Sequence, residues 1–223
     1  MSTATLAPQM HGESIEDPIQ QQVAAIVDDL IAQLPNPAAL TSLERRGIIA
    51  RYTAVLESNF IYWMTAASIA AQADQVRPIF AENLFEEVRD AHPVMLRRFA
   101  VGARAFPTDT DALSIDSDLT SMRRFLGKLQ GVQSVLSMAF FECWIQRFMG
   151  FLAELARAQG STEMEYTDVH GVCDIHHTAE LFRALQLEMA INPLSRDADL
   201  FEGVNLLRTL ILAIVQGPAA VAA

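Results

Sequence analysis

The stretch His170-Gly-Val-Cys-Asp174-Ile-His-His177 sets an imidazole, a carboxylate and an imidazole at positions i, i+4 and i+7. At 100° per residue these side chains fall within about 60° of one another on a helix. One narrow stripe then offers a donor set suited to Fe(II), Mn(II) or Zn(II). Four of the five histidines are His92, His170, His176 and His177, a clustering that a solvated polar face does not account for. His176 points about 100° away from His177 and is expected at the surface or behind the ligands.

Carboxylates stranded on apolar stripes form the second signal. Glu142 shares its helical face with Met138, Ile145, Gln146 and Met149, and Glu57 shares its face with Ala50, Thr53, Ala54, Phe60, Ile61 and Met64. A lone ionised carboxylate in such a place is costly to desolvate; a metal ion removes that cost. The segment ENLFEEVRDAHPVMLRRFA adds Glu82, Glu86, Glu87, Asp90 and His92. Helical arithmetic does not select among them, because Glu87 and His92 lie about 140° apart on an ideal helix and Pro93 makes an ideal helix unsuitable there. Glu86 and Asp90 read as solvated.

Helices must carry these groups. The chain has no alternating Val/Ile/Thr-rich runs and no Asn-Gly or Asp-Gly hairpin turns, so an all-α fold is expected. The periodicity predicts seven helices, over 18–34, 42–73, 75–103 (broken near Pro93), 117–128, 131–159, 168–190 and 198–216. Thr41, Asp116 and Thr167 are the expected caps. Residues 1–17 read as a loose polar arm, and 18–223 as a single helical domain. Such lengths suit a bundle that builds metal sites between facing helices.

Composition narrows the function classes. Hydrophobic residues make up 51% and charged residues 19%, which excludes a disordered chain. A net charge of −11 and a sequence pI near 4.8 argue against nucleic acid or an anionic membrane as partner. Cys143 and Cys173 are the only cysteines, without a CxxC, so neither a disulfide framework nor a zinc ribbon is indicated. The N-terminus lacks a basic and then apolar leader, and no uncharged apolar run reaches ~18 residues. A cytoplasmic, soluble protein is the expectation.

With these residues in hand, the sequence resembles the heme-oxygenase-like di-iron oxidases and oxygenases, over about residues 45–190. That pattern has an early glutamate, an NLxxE segment followed by a histidine, a glutamate in a middle helix and a closing HxxxDxxH. Here these are Glu57; Asn83-Leu84 with Glu87, then His92; Glu142; and His170, Asp174 and His177. The link between Glu87 and His92, Val-Arg-Asp-Ala, is shorter than in the family. The resemblance implies a seven-helix heme-oxygenase-like bundle and two Fe(II) ions, with O2 as co-substrate. It also implies a homodimer and a small amino-acid-like or carboxylate substrate, oxidised in natural-product biosynthesis by N-oxygenation, oxidative C–C cleavage or nitrile formation. Glu87, His92 and Glu142 would serve one iron, and His170, Asp174 and His177 would serve the other or bridge to it, with Glu57 closing the first site or moving in on oxidation.

Arg208, inside an apolar last helix, is the candidate anchor for a substrate carboxylate. Phe60 and Phe141 are candidates to line the pocket, and Tyr62 is a candidate redox-active residue. The competing readings are a metal-free thiaminase-like hydrolase with Cys143 as nucleophile, a quinone-cofactor-synthase-like relative, and a non-catalytic metal-binding protein.

Overall fold

The computed structural model describes residues 17–217; the expected N-terminal arm, apart from Asp17, and the last six residues lie outside them. Nine helices and no strand occur among the described residues: α1 (Pro18–Ala32), α2 (Ser42–Ala70), α3 (Val76–Arg89), α4 (His92–Gly102), α5 (Asp109–Leu113), α6 (Asp116–Leu126), α7 (Gly131–Ala158), α8 (Glu165–Ile191) and α9 (Glu202–Gln216). The all-helical expectation holds. The count of seven becomes nine among the described residues, through the expected break near Pro93 and one short helix that was not expected. The third expected helix is interrupted at Asp90–Ala91, where Ala91 takes a left-handed conformation (φ 59°) and Pro93 sits in the first turn of α4, the turn that tolerates proline. The other addition is α5, a single short helix with its own capping box between Thr108 and Asp111, too short for periodicity to reveal. α8 also begins three residues earlier than its expected start at Asp168, and α9 begins at Glu202 rather than Ala198.

Local chemistry explains the principal starts. The Asp17 carboxylate accepts from Ile19 N at 2.9 Å, and Pro18 opens α1. Thr41 and Glu44 form a reciprocal capping box at α2, the arrangement that satisfies two orphan amide donors at once.

α7 is the axis of the bundle. It packs most extensively on α8, then on α2, α9 and α1, and nearly all its residues from Gly131 to Met149 are buried. By length and composition alone α7 could cross a membrane, but most of it is enclosed by the other helices, as befits a core helix. α3 and α4 lie against α2 and α8, so α3, α4, α7 and α8 converge on one side of the bundle. At the far end, buried Glu188 of α8 accepts from the amides of Gln72 (2.9 Å) and Ala73 (2.9 Å), which fixes α8 to the end of α2.

The approach of α9 to α6 and α7 depends on Gly203. A Cβ there would collide with Ser137 Oγ and the Phe125 ring. Both are held in the packed interior, so Gly203→Ala is an overpacking change and is expected to cost about 1–3 kcal/mol. Thermal unfolding of the variant checks this.

Candidate metal centre

α8 supplies the first three groups. His170, Asp174 and His177 are all buried on the face that meets α7, α3 and α4, whereas His176 is exposed, as the helical spacing predicts. α7 brings Glu142, which is only 2% exposed. α3 brings Glu87, and α4 brings His92 as its first residue. The left-handed turn at Ala91 folds the chain back so that His92 Nδ1 lies 2.8 Å from Glu87 Oε1.

These groups form two neighbouring sets. Glu87, His92 and His170 offer donor atoms that all lie within 4.8 Å of one another, as do Cys173, Asp174 and His177. In the first set the His92 and His170 rings meet edge to face at 4.4 Å between centroids. His170 Nδ1 donates to the Tyr166 carbonyl at 2.8 Å, and its Nε2 lies 3.9 Å from Glu87 Oε1. In the second set, Cys173 Sγ donates to Asp174 Oδ1 at 3.1 Å. His177 Nδ1 lies 3.8 Å from both Asp174 Oδ1 and Glu142 Oε1. Three of these inward atoms, Glu142 Oε1, Asp174 Oδ2 and His177 Nδ1, are buried with no hydrogen-bond partner among the described residues. Buried polar atoms are rarely left so, and three on facing helices fit a cation.

The electrostatics agree. Burial, reinforced by the charges of Asp174 and Glu87, pushes the Glu142 carboxyl well above its usual range. Burial likewise raises Asp174 to about 6, against the pull of His170 and His177. Glu87 goes the other way: burial opposes its charge, but the neighbouring His170 and His92 imidazoles hold it at about 2. The protein alone thus stabilises one ionised carboxylate and resists the other two. A bound cation reverses that preference.

An apolar wall closes one side. Leu56, Phe60, Ile61, Leu96 and Ile145 line a narrow cleft together with Glu87, His92, Glu142, His170 and Tyr166. The Tyr166 hydroxyl pairs with that of Tyr52 at 2.8 Å in the interior, and burial drives both phenols well above their usual range.

Of the expected site residues, Glu87, His92, Glu142, His170, Asp174 and His177 come together, and Phe60 borders them. Four do not join them. Glu57 is in an ion pair with Arg97 of α4 and belongs to neither donor set: its carboxylate reaches the edge of the α2 stripe, where a guanidinium supplies the countercharge. Tyr62 is 48% exposed. Phe141 is fully buried among Phe60, Trp63 and Trp144, one layer behind the cleft. Arg208 sits on α9, which packs on α6, α7 and α2, and it is not among the residues that line the cleft. Glu57→Ala is accordingly expected to leave metal stoichiometry unchanged and to shift stability by less than about 1 kcal/mol, the worth of a partly exposed pair; metal analysis and thermal unfolding of the variant check both.

Two contributors escaped the sequence reading. Glu86 is not simply solvated: its Oε2 lies 2.8 Å from His177 Nε2. Cys173 stands beside Asp174 as a possible sulfur donor; only its place next to the aspartate in the motif hinted at this. Neither a family model nor a curated protein matches the chain.

Proposed function

We propose that this protein is an O2-dependent di-iron oxidase or oxygenase acting on a small amino-acid-like or carboxylate substrate. The observation that carries the reading is the set of buried donors without a hydrogen-bond partner, Glu142 Oε1, Asp174 Oδ2 and His177 Nδ1, on α7 and α8, where His177 Nδ1 lies 3.8 Å from a carboxylate oxygen of both Glu142 and Asp174. These three donors are oxygen and imidazole, the kind that suits Fe(II) with positions left open for O2, while burial and the Asp174 charge hold the neighbouring Cys173 as the thiol rather than the thiolate that ligates a metal. Glu86, Glu87, Glu142 and Asp174 together offer four carboxylates, which matches the four positive charges of two divalent ions. The order along the chain also supports it: acid and histidine at the α3–α4 junction, acid on α7, then His/Asp/His on α8. That is the order in the heme-oxygenase-like di-iron enzymes after their early glutamate, whose counterpart Glu57 is paired with Arg97 here, and the bundle is read as a member of that fold.

Glu87, His92 and His170 would hold one ion, and Asp174 and His177 the other, with Glu142 beside the second. Bound iron would supply the electrons that O2 activation needs. The protein's own part is to orient and to keep water out. The Tyr166 carbonyl fixes the His170 ring so that Nε2 faces the cleft. Leu56, Phe60, Ile61, Leu96 and Ile145 give the cleft an apolar side, and its volume of about 20 Å³ has room for little more than a water, so a substrate's carbon skeleton enters only if these walls part. The hydrolase alternative is disfavoured, because burial pushes the Cys143 thiol up, and a nucleophile needs the thiolate.

The test is an anaerobic Fe(II) titration followed by admission of O2 and a screen of free amino acids and small carboxylates, with mass spectrometry of products. The expected result is two irons per chain, a transient visible absorption band and one oxidised substrate. Iron uptake without O2 consumption would reduce the protein to a metal binder, and no uptake would remove the reading altogether.

A further inference from the structure

His177 is gripped from outside the metal centre by a residue that the sequence places on the solvent side of α3. Glu86 Oε2 lies 2.8 Å from His177 Nε2. A carboxylate oxygen accepts, so Nε2 is the nitrogen that carries hydrogen. Nδ1 is then bare, and it is the nitrogen that faces Glu142 and Asp174 without a partner. His170 is handled in the opposite sense with the same outcome: Nδ1 is spent on the Tyr166 carbonyl, and Nε2 is turned toward Glu87. Each of the two buried imidazoles of α8 therefore gives one nitrogen to the protein and keeps the other for the interior.

Glu86 has a cation available elsewhere. Arg89 stands three residues on along α3, yet its guanidinium pairs with Asp90 instead (2.7 and 2.6 Å). The Glu86 side chain is 31% exposed, against 3% for the His177 side chain. It thus reaches over the seam between α3 and α8 from the rim, while Glu87, its neighbour in sequence, points into the core.

We propose that Glu86 is a positioning residue: it holds the His177 ring in the orientation and tautomer that leave Nδ1 as a metal donor. The proposal rests on the metal reading of the site, but its first readout needs no metal. Carboxylates that orient a ligating histidine are typically worth about 10–100-fold in metal affinity. In Glu86→Gln the amide oxygen can still accept from Nε2–H. In Glu86→Ala nothing accepts.

The experiment has two arms. In metal-free protein, long-range nitrogen–proton correlation spectra of the imidazoles report the tautomer of each histidine; His177 is identified by the signals missing in His177→Gln. The Nε2-protonated tautomer is expected in the wild type and in Glu86→Gln, and a mixture of tautomers in Glu86→Ala. In the second arm, Co(II) alone is titrated into the three proteins. Glu86→Ala should lose about 10–100-fold in affinity for one of two ions, with Glu86→Gln within a few-fold of wild type. An Nδ1-protonated or doubly protonated His177 in the wild type overturns the proposal. So does an unchanged tautomer and affinity in Glu86→Ala, or outright loss of one ion in both variants, which would make Glu86 a ligand itself. If the wild type binds no Co(II) the metal reading fails, and the tautomer result still decides what Glu86 does to His177.

Discussion

Glu142→Gln is expected to make the metal-free protein more stable at neutral pH while costing it a metal ion. Glu142 sits on the most buried helix, and burial together with Asp174 and Glu87 raises its carboxyl well above the ordinary value of 4.5. A group whose folded pKa is raised contributes stability that is fully present below its unfolded pKa and is lost as pH rises through the folded one. For Asp174 that window runs from its ordinary 3.8 to about 6; for Glu142 it begins near 4.5 and extends well above. Glu87 behaves oppositely. Its folded pKa of about 2 makes its contribution present above 4.5 and lost only in strong acid. The metal-free wild type should therefore weaken as pH climbs from about 5 to 8.

Glutamine keeps the shape and never ionises. Its advantage at neutral pH should be about 1–3 kcal/mol, because it removes the linkage cost of a carboxyl that is ionised in the unfolded chain and resists ionisation in the folded one. For a chain of this size that is about 2–4 °C of thermal midpoint per kcal/mol. Near pH 5 the two proteins should converge. Added Fe(II) under anaerobic conditions should invert the order, because ligand binding stabilises only the folded protein that can hold it. Thermal unfolding at both pH values, with and without metal, reads all of this. A glutamine variant less stable than wild type in metal-free neutral buffer would contradict the account of Glu142.

The second large effect separates adjacent histidines. His177→Ala should lower metal content from two ions per chain to one or none. It removes the Nδ1 donor and leaves Glu86, Glu142 and Asp174 facing one another across the gap. His176 is exposed, so His176→Ala should keep two ions and change stability by no more than about 0.5 kcal/mol. Metal analysis after anaerobic loading, paired with unfolding midpoints, makes the comparison. Equal losses from the two changes would show that the buried face of α8 does not carry the ligands.

Where the helix is uninterrupted, the inward placement of the candidate ligands was legible in the sequence. On α8 the period of 3.6 put His170, Asp174 and His177 inward and His176 outward, and the structure agrees. Glu142 was legible for the same reason, because α7 runs unbroken through the core. The arithmetic failed at the α3–α4 junction. There a left-handed Ala91 resets the direction of the chain, and no spacing rule relates Glu87 to His92 across such a break.

Glu57 illustrates a different limit. An acid on an apolar stripe says that its stem is covered, not where its carboxylate ends up, and the partner that decided the matter, Arg97, lies forty residues further along. Glu86 was misplaced because a seam between two helices exposes a residue to water on one side and to a buried imidazole on the other. The short α5 carried too few residues to show a period at all.

The central claim is tested most directly by diffraction at the iron absorption edge from crystals loaded anaerobically with Fe(II). Two anomalous peaks are expected inside the bundle, one beside Glu87, His92 and His170, and one beside Asp174 and His177. Peaks confined to exposed carboxylates, or none among α3, α4, α7 and α8, would contradict it.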